Sequence, residues 1–218
     1  MEPSALFTAV VDGDTDVVLE EVRAMVASGV RPEVILQEHL LPAMEEVGRL
    51  YDEGDYFVPE LMISSEAMKG AMEQLDPLLK AGGVQKLGRV VIGTVSGDMH
   101  DIGKNLVAAM LEGNGFDVTD LGVDVSPKRF VETAQALLDA DPQNAPVLVL
   151  LSALLTTTMP QMKAVVDLVA ASGLKEKVRV LIGGAPVTQG YADSIGADGY
   201  SDSAYSAVKL ARDRKSVV

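Results

Sequence analysis

Residues 89–105 read Arg89-Val90-Val91-Ile92-Gly93-Thr94-Val95-Ser96-Gly97-Asp98-Met99-His100-Asp101-Ile102-Gly103-Lys104-Asn105. The opening run, 89–95, is apolar and rich in β-branched residues, which predicts a buried strand. A polar, glycine-bearing loop follows, and residues 103–113 then take up a helical period. The same order repeats downstream. Phe116-Asp117-Val118 predicts a short strand and residues 127–140 a helix. Pro146-Val147-Leu148-Val149-Leu150-Leu151 is the most apolar strand run in the chain, followed by a helical pattern over 160–172. Val178-Arg179-Val180-Leu181-Ile182 is another strand, and a last helix is expected near 202–213. Strands alternating with helices imply right-handed crossovers and a parallel sheet with helices on both faces. About five strands would make it flavodoxin-like or Rossmann-like, with ligands beyond the carboxyl ends of the strands. That rule selects three loops: 96–103, 152–159 and 183–188.

Upstream of this region the pattern is helical only. Asp14 or Thr15 can cap a helix that stops near Ser28-Gly29. Pro32 suits the first turn of the next helix, Pro42 is expected to separate it from a third, and that one ends near Gly54. Pro59 suits the first turn of the longest helix. Along it Phe57, Leu61, Ser64, Met68, Met72, Leu75 and Leu79 step by three or four residues, one face of a helix. Short connections between four or five helices predict a small bundle. Ala81-Gly82-Gly83 breaks the pattern before the first strand. The expected organisation is a helical domain at 1–80, a linker at 81–87 with Gly82 and Gly83 as hinge candidates, and an α/β domain at 88–218.

The chain has 218 residues with 18 Lys plus Arg against 32 Asp plus Glu, a formal charge of −14. Such an excess of acid argues against electrostatic binding to nucleic acid or anionic membranes. The charge is concentrated early: residues 1–80 hold 17 acids and 5 bases, residues 81–218 hold 15 and 13. An acidic helical face is most often simply solvated. Cysteine is absent, which excludes disulfides, thiolate–metal sites and thiol nucleophiles. No apolar run is long enough to cross a membrane, and the start of the chain lacks the basic region of a signal peptide. A cytoplasmic location is expected.

The first loop fits neither of two common phosphate motifs. Five residues separate Gly97 from Gly103, and Asn105 stands where a P-loop needs Ser or Thr. The dinucleotide pattern G-x-G-x-x-G is missing as well. What remains is an imidazole, His100, flanked by carboxylates. A neutral imidazole is a good ligand for a transition metal, and a carboxylate on its other nitrogen would fix the tautomer; Asp98 is placed for that. A hydrogen-bonded loop histidine with no ligand is the plainer alternative. Zinc is disfavoured, since the only other histidine, His39, lies in the helical part. In the second loop Ser152, Thr156, Thr157 and Thr158 could bind a polar ligand tail or merely cap a strand end. In the third, Gly183 and Gly184 permit close approach of a ligand or of backbone.

Taken in order, Asp98-x-His100-x-x-Gly103, then Ser152-x-Leu154, then Gly183-Gly184 resembles the cobalamin-binding domain. The gaps of 48 residues from Gly103 to Ser152 and 28 from Leu154 to Gly183 suit that family's layout. The run 97–105 is similar to the methyltransferase branch of the family. Tyr56-Phe57-Val58-Pro59-Glu60-Leu61 with Ala67-Met68 resembles the helical cap of methionine synthase and of corrinoid methyl-carrier proteins. The resemblance covers nearly the whole chain.

It implies a corrinoid protein that carries a methyl group on cobalt. The group would pass from a substrate-specific methyltransferase to an acceptor methyltransferase that uses tetrahydrofolate or a thiol coenzyme. His100 matches the residue that displaces the cofactor's own base and becomes the lower axial ligand of cobalt, giving base-off cobalamin. Asp98 matches its hydrogen-bond partner, and Thr158 stands where methionine synthase has a serine. The cofactor-binding set carried over is Asp98, Met99, His100, Asp101, Ile102, Gly103, Ser152, Leu154, Thr156, Thr158, Gly183 and Gly184. Phe57 of the cap, with Val58 and Met62, matches the side facing the upper surface of the corrin. No catalytic residue is carried over: the chain would be a non-catalytic carrier subunit, dependent on a separate reductive activase. A cobalamin-dependent sensor or regulator shares these domains and is the alternative. Such proteins usually add a basic DNA-binding segment, whereas the first 80 residues here are acidic.

Overall fold

The computed structural model describes residues 4–81, 86–141 and 146–216. The chain divides into two compact units, Met1–Lys86 with Ala109–Gly115, and Leu87–Ala108 with Phe116–Val218. Of the expected linker 81–87, residues 82–85, with the hinge candidates Gly82 and Gly83, lie outside the described residues.

In the first unit Ser4 caps helix α1 (Ala5–Asp12), its hydroxyl accepting the Phe7 N–H, and Gly13 at φ 73° ends it. Asp14 caps α2 (Thr15–Ala27) by accepting the Val17 N–H. Pro32 opens a short α3 (Pro32–Val34) that runs on as a π-helical stretch over Ile35–Leu40 and then as α4 (Leu41–Glu53). Pro42 therefore does not separate two helices. The wide turn before it lets the Leu41 N–H reach the Leu36 carbonyl five residues back. The chain thus continues through a residue that has no N–H of its own to donate. Gly54 at φ 84° closes α4, and α5 spans Val58–Ala81.

The predicted stripe on α5 is buried at Leu61, Ser64, Met68, Met72, Leu75 and Leu79, and α5 packs on α1, α2 and α4, which bury Leu6, Val10, Val18, Val22 and Met44. Ser64 is tolerated there because its hydroxyl donates to the Val11 carbonyl at 3.0 Å, beside the Tyr56 hydroxyl at 3.1 Å. Phe57 departs from the expected stripe: it stands just ahead of α5, where its N–H is taken by Glu60, and its side chain is 66% exposed.

The second unit is the sheet. Its strands are β1 (Arg89–Thr94), β2 (Asp117–Asp120), β3 (Val147–Ser152), β4 (Val178–Gly183) and β5 (Gly199–Ser201). The helices are α6 (Ile102–Gly113), whose residues from Ala109 on count with the first unit, α7 (Pro127–Ala140), α8 (Pro160–Ala171), α9 (Gln189–Ile195) and α10 (Ala204–Ser216). All pairings are parallel, in the order β2-β1-β3-β4-β5. This is the flavodoxin-like order, whose switch point lies between β1 and β3. Every position of β1 is buried, as expected of a strand covered on both faces. Gly93 sits inside β1 because a Cβ there would come within 2.9 Å of the Phe130 ring of α7. At the other end of the strand the buried Arg89 donates to the Leu137 and Asp141 carbonyls, satisfying the end of α7.

The short α9 and β5 were not anticipated. Gln189–Ile195 spans seven residues and β5 three, too few for a clear period. The last helix also outruns its expected end, since α10 continues through the basic residues 212–215 to Ser216.

Candidate functional site

The loops after β1 and β3 face each other across the switch point and meet at one carboxylate. Asp98 is fully buried and accepts five hydrogen bonds. Its Oδ1 takes His100 Nδ1 at 2.6 Å and the His100 N–H at 3.1 Å. Its Oδ2 takes the Leu154 N–H at 2.8 Å, the Leu155 N–H at 3.2 Å and the Thr158 hydroxyl at 2.8 Å. Burial alone would raise the pKa of this carboxyl. The bonds from the His100 ring, the Leu154 and His100 amides and the Thr158 hydroxyl outweigh it and hold the group well below the usual carboxylate range.

An ionised Asp98 on Nδ1 keeps the imidazole proton there. Nε2 is then the nitrogen with a free lone pair, on a side chain that is 51% exposed. The main chain of the loop is tied as well, because the buried Thr94 hydroxyl donates to the His100 carbonyl at 2.8 Å.

Asp98, His100 and Thr158 thus form one hydrogen-bonded cluster, and Leu154 joins it through its amide. Met99, Asp101, Ile102 and Gly103 follow on the exposed approach to α6, with Met99 68% and Ile102 79% exposed. A Cβ on Gly103 would meet nothing within 4 Å, so open space lies beside it. Ser152 ends β3, in register with Gly183 at the end of β4. Thr156 is exposed on the following turn. Gly184 has φ 127°, and a Cβ there would fall 1.9 Å from the Ala153 carbonyl oxygen. Of the two kinds of close approach open to this glycine, the structure shows the one to backbone. Phe57 belongs to the first unit, where Phe57, Met62 and Ile63 are all exposed.

Sequence reasoning missed three contributors. Thr94 was read only as strand. Lys104, buried, pairs with Asp120 at the end of β2 and donates to Asn105 Oδ1 at 2.6 Å, tying the start of α6 to the edge strand. Asp124 bonds to Ser96 and Gly97 from the turn after β2. The cue for that turn was Gly122-x-Asp124 after a short strand, a fourth loop at the same sheet edge.

The donor set constrains what could sit here. Among the described residues no three His, Cys, Asp or Glu side chains cluster as a metal site. Asp98 is engaged with five donors, which leaves His100 Nε2 as the imidazole nitrogen with a lone pair to offer. A metal held here must bring its remaining ligands with it. Exposed Met99, Ile102, Leu154 and Leu155 suit a flat apolar carrier of such a metal.

Family models match both parts of the chain. Residues 88–209 match a B12 binding domain, and residues 4–76 match a second model, also described as a B12 binding domain. The chain belongs to the B12-binding family. Its relatives include dimethylamine corrinoid protein 1 of Methanosarcina acetivorans, 44% identical over 84% of this chain and 83% of that one. A cobalamin-binding protein from Desulfitobacterium hafniense superposes with a TM-score of 0.78 at 32% identity, covering 99% of this chain and 98% of that one. The methanol:cobalamin methyltransferase complex MtaBC of Methanosarcina barkeri gives 0.79 at 33% identity over 98% of this chain and 79% of the other. The B12-binding members thus match both units, helical and α/β.

Proposed function

We propose that this corrinoid protein binds cobalamin base-off, with His100 Nε2 as the lower axial ligand, and shuttles a methyl group between two methyltransferases. The supporting observation is the Asp98–His100 pair at the switch point: an ionised, buried carboxylate holds Nδ1 and presents Nε2 as the one free donor. When bound, the cobalt of the corrinoid supplies a nucleophile that accepts a methyl group and later releases it. The chain's own residues orient and enclose. Asp98 keeps the imidazole proton on Nδ1, and Thr158 with the Leu154 and Leu155 amides keeps Asp98 ionised. Met99, Ile102 and Leu154 offer apolar contact to a macrocycle. The detached nucleotide tail would run past Ser152, Thr156, Gly183 and Gly184. Phe57 would contact the upper face.

The relatives named for dimethylamine and the methanol complex support a methyltransferase partner on the donor side. The acceptor methyltransferase, with tetrahydrofolate or a thiol coenzyme, and a reductive activase complete the reading, in a cytoplasmic setting. The chain itself acts as a carrier subunit. The test is a visible spectrum of protein loaded with methylcobalamin, wild type beside His100→Ala. A histidine-ligated spectrum lost in the variant is expected. Tight binding with an unchanged variant spectrum would remove His100 as the ligand, and no binding would end the carrier reading.

A further inference from the structure

The loop that carries His100 is gripped from a second side. After β2 the chain turns through Leu121–Val125 beside the end of β1. Here the Thr94 N–H donates to the Gly122 carbonyl at 2.9 Å, and the Val125 N–H donates to the Thr94 carbonyl at 2.9 Å. In this turn Asp124 has φ 53°, the only non-glycine among the described residues with a positive φ. Its N–H donates to the Asp98 carbonyl at 3.0 Å. Its Oδ1 accepts the Gly97 N–H at 2.7 Å and the Ser96 hydroxyl at 3.1 Å. One residue therefore bonds three successive residues of the loop, from the face opposite the Leu154–Thr158 side.

Left-handed backbone is disfavoured for any residue with a Cβ, although Asp tolerates it better than most. A turn alone would be served by glycine, which adopts that φ freely. Keeping Asp here makes sense if the carboxylate has work that the turn does not need. Gly97 itself stands at φ 82° and Asp98 follows directly, so the grip on Gly97 and on the Asp98 carbonyl sets where the Asp98 side chain starts. Asp98 in turn aims the imidazole.

We infer that Asp124 is a positioning residue for His100: from a left-handed turn it fixes the main chain of residues 96–98 and so the direction in which Asp98 presents Nε2. The inference rests on His100 being the axial ligand, and two variants separate it from a plain turn role. Asp124→Gly keeps the backbone and removes the carboxylate. Asp124→Asn tolerates the same φ and keeps an oxygen that can accept from Gly97.

Amide hydrogen exchange on the protein without cofactor is the first readout. In Asp124→Gly the amides of Gly97 and His100 should exchange roughly tenfold faster or more, while Asp124→Asn stays near wild type. The second readout uses protein labelled with ¹⁵N-histidine and loaded with cob(II)alamin. Wild type should show splitting from a histidine nitrogen in the electron paramagnetic resonance spectrum. In Asp124→Gly the ratio of histidine-ligated to unligated cobalt should fall by about tenfold, with recovery in Asp124→Asn.

A wild-type His100 amide rate and an undiminished histidine signal in Asp124→Gly would overturn the inference. Loss of folding in Asp124→Gly would overturn it too, because the carboxylate would then be holding the fold rather than the ligand. No histidine splitting in wild type would instead sink the axial-ligand reading, and the exchange rates would still decide whether Asp124 braces the loop.

Discussion

Asp98→Asn is a small change in shape and a large one in chemistry. All five partners of Asp98 are donors: three backbone amides, the His100 ring and the Thr158 hydroxyl. An asparagine amide offers one oxygen, and its NH₂ must face donors whichever way it is turned. With NH₂ at the Oδ2 position, the Leu154 and Leu155 amides lose their acceptor, while Thr158 can redirect to the Leu155 carbonyl at 2.9 Å. With NH₂ at the Oδ1 position, the His100 amide loses its acceptor and the imidazole must move its proton to Nε2. Either way about two charge-assisted bonds go, at about 1.5–3 kcal/mol each. The variant no longer buries a charge, which returns part of that cost. A net loss of about 2–4 kcal/mol follows, or about 4–16 °C in Tm for a chain of this size.

The loss has a defined pH dependence. Folded Asp98 ionises below the usual carboxylate range, whereas the unfolded group takes its proton near pH 3.9. Its contribution is therefore complete above about pH 5 and drains away as the pH falls below about 4, where unfolding takes up a proton. Denaturant unfolding of the cofactor-free protein, wild type against variant, should show the full difference at pH 7 and a shrinking one below pH 4. Equal stability at pH 7, or a difference that grows in acid, would refute the claim that these five bonds outweigh the burial of the charge.

Further substitutions probe other parts of the site. Thr158→Val removes one bond to Asp98 while two amides remain on the same oxygen, so unfolding should register about 1–2 kcal/mol, less than Asp98→Asn. Gly184→Ala puts a Cβ 1.9 Å from a backbone oxygen at φ 127°, and a loss of about 3 kcal/mol or more in the same assay is expected. Phe57→Ala should leave stability within about 0.5 kcal/mol because the ring is exposed. If the ring contacts the corrin, titration should show weaker methylcobalamin binding, and unchanged affinity would remove Phe57 from the site. Tyr191, whose hydroxyl donates to the Met159 carbonyl at 2.6 Å, keeps its proton above its usual pKa of 10.0 because it is partly withdrawn from water. Unfolding above pH 10 therefore releases a proton and stability falls there; Tyr191→Phe should flatten that decline.

What was legible in the sequence follows from how each residue earns its place. β1 and β3 are central and covered on both faces, so they appear as apolar runs; β2 at the edge showed only as the short Phe116-Asp117-Val118, and the three-residue β5 is too short to declare itself. The α5 stripe was readable because its period is that of a helix against a core. Pro42 misled because a proline signals a break unless the helix widens before it, and nothing local to residues 35–40 announces a π-helical turn. The Asp98–His100 pair was readable since its members are two residues apart and chemically matched. Thr94, Asp120 and Asp124 were not, because their contribution exists only once parallel pairing lays the end of β2 beside the end of β1. The histidine loop is thus held twice, by side-chain acceptance at Asp98 from the β3 side and by main-chain restraint at Asp124 from the β2 side. Both holds join residues far apart in the chain, and only the Asp98–His100 pair between them is written in neighbouring residues. A loop held on one side could still turn its imidazole about the remaining hinge. One held on both keeps Nε2 aimed in a single direction, which is what the proposed axial-ligand role of His100 would require.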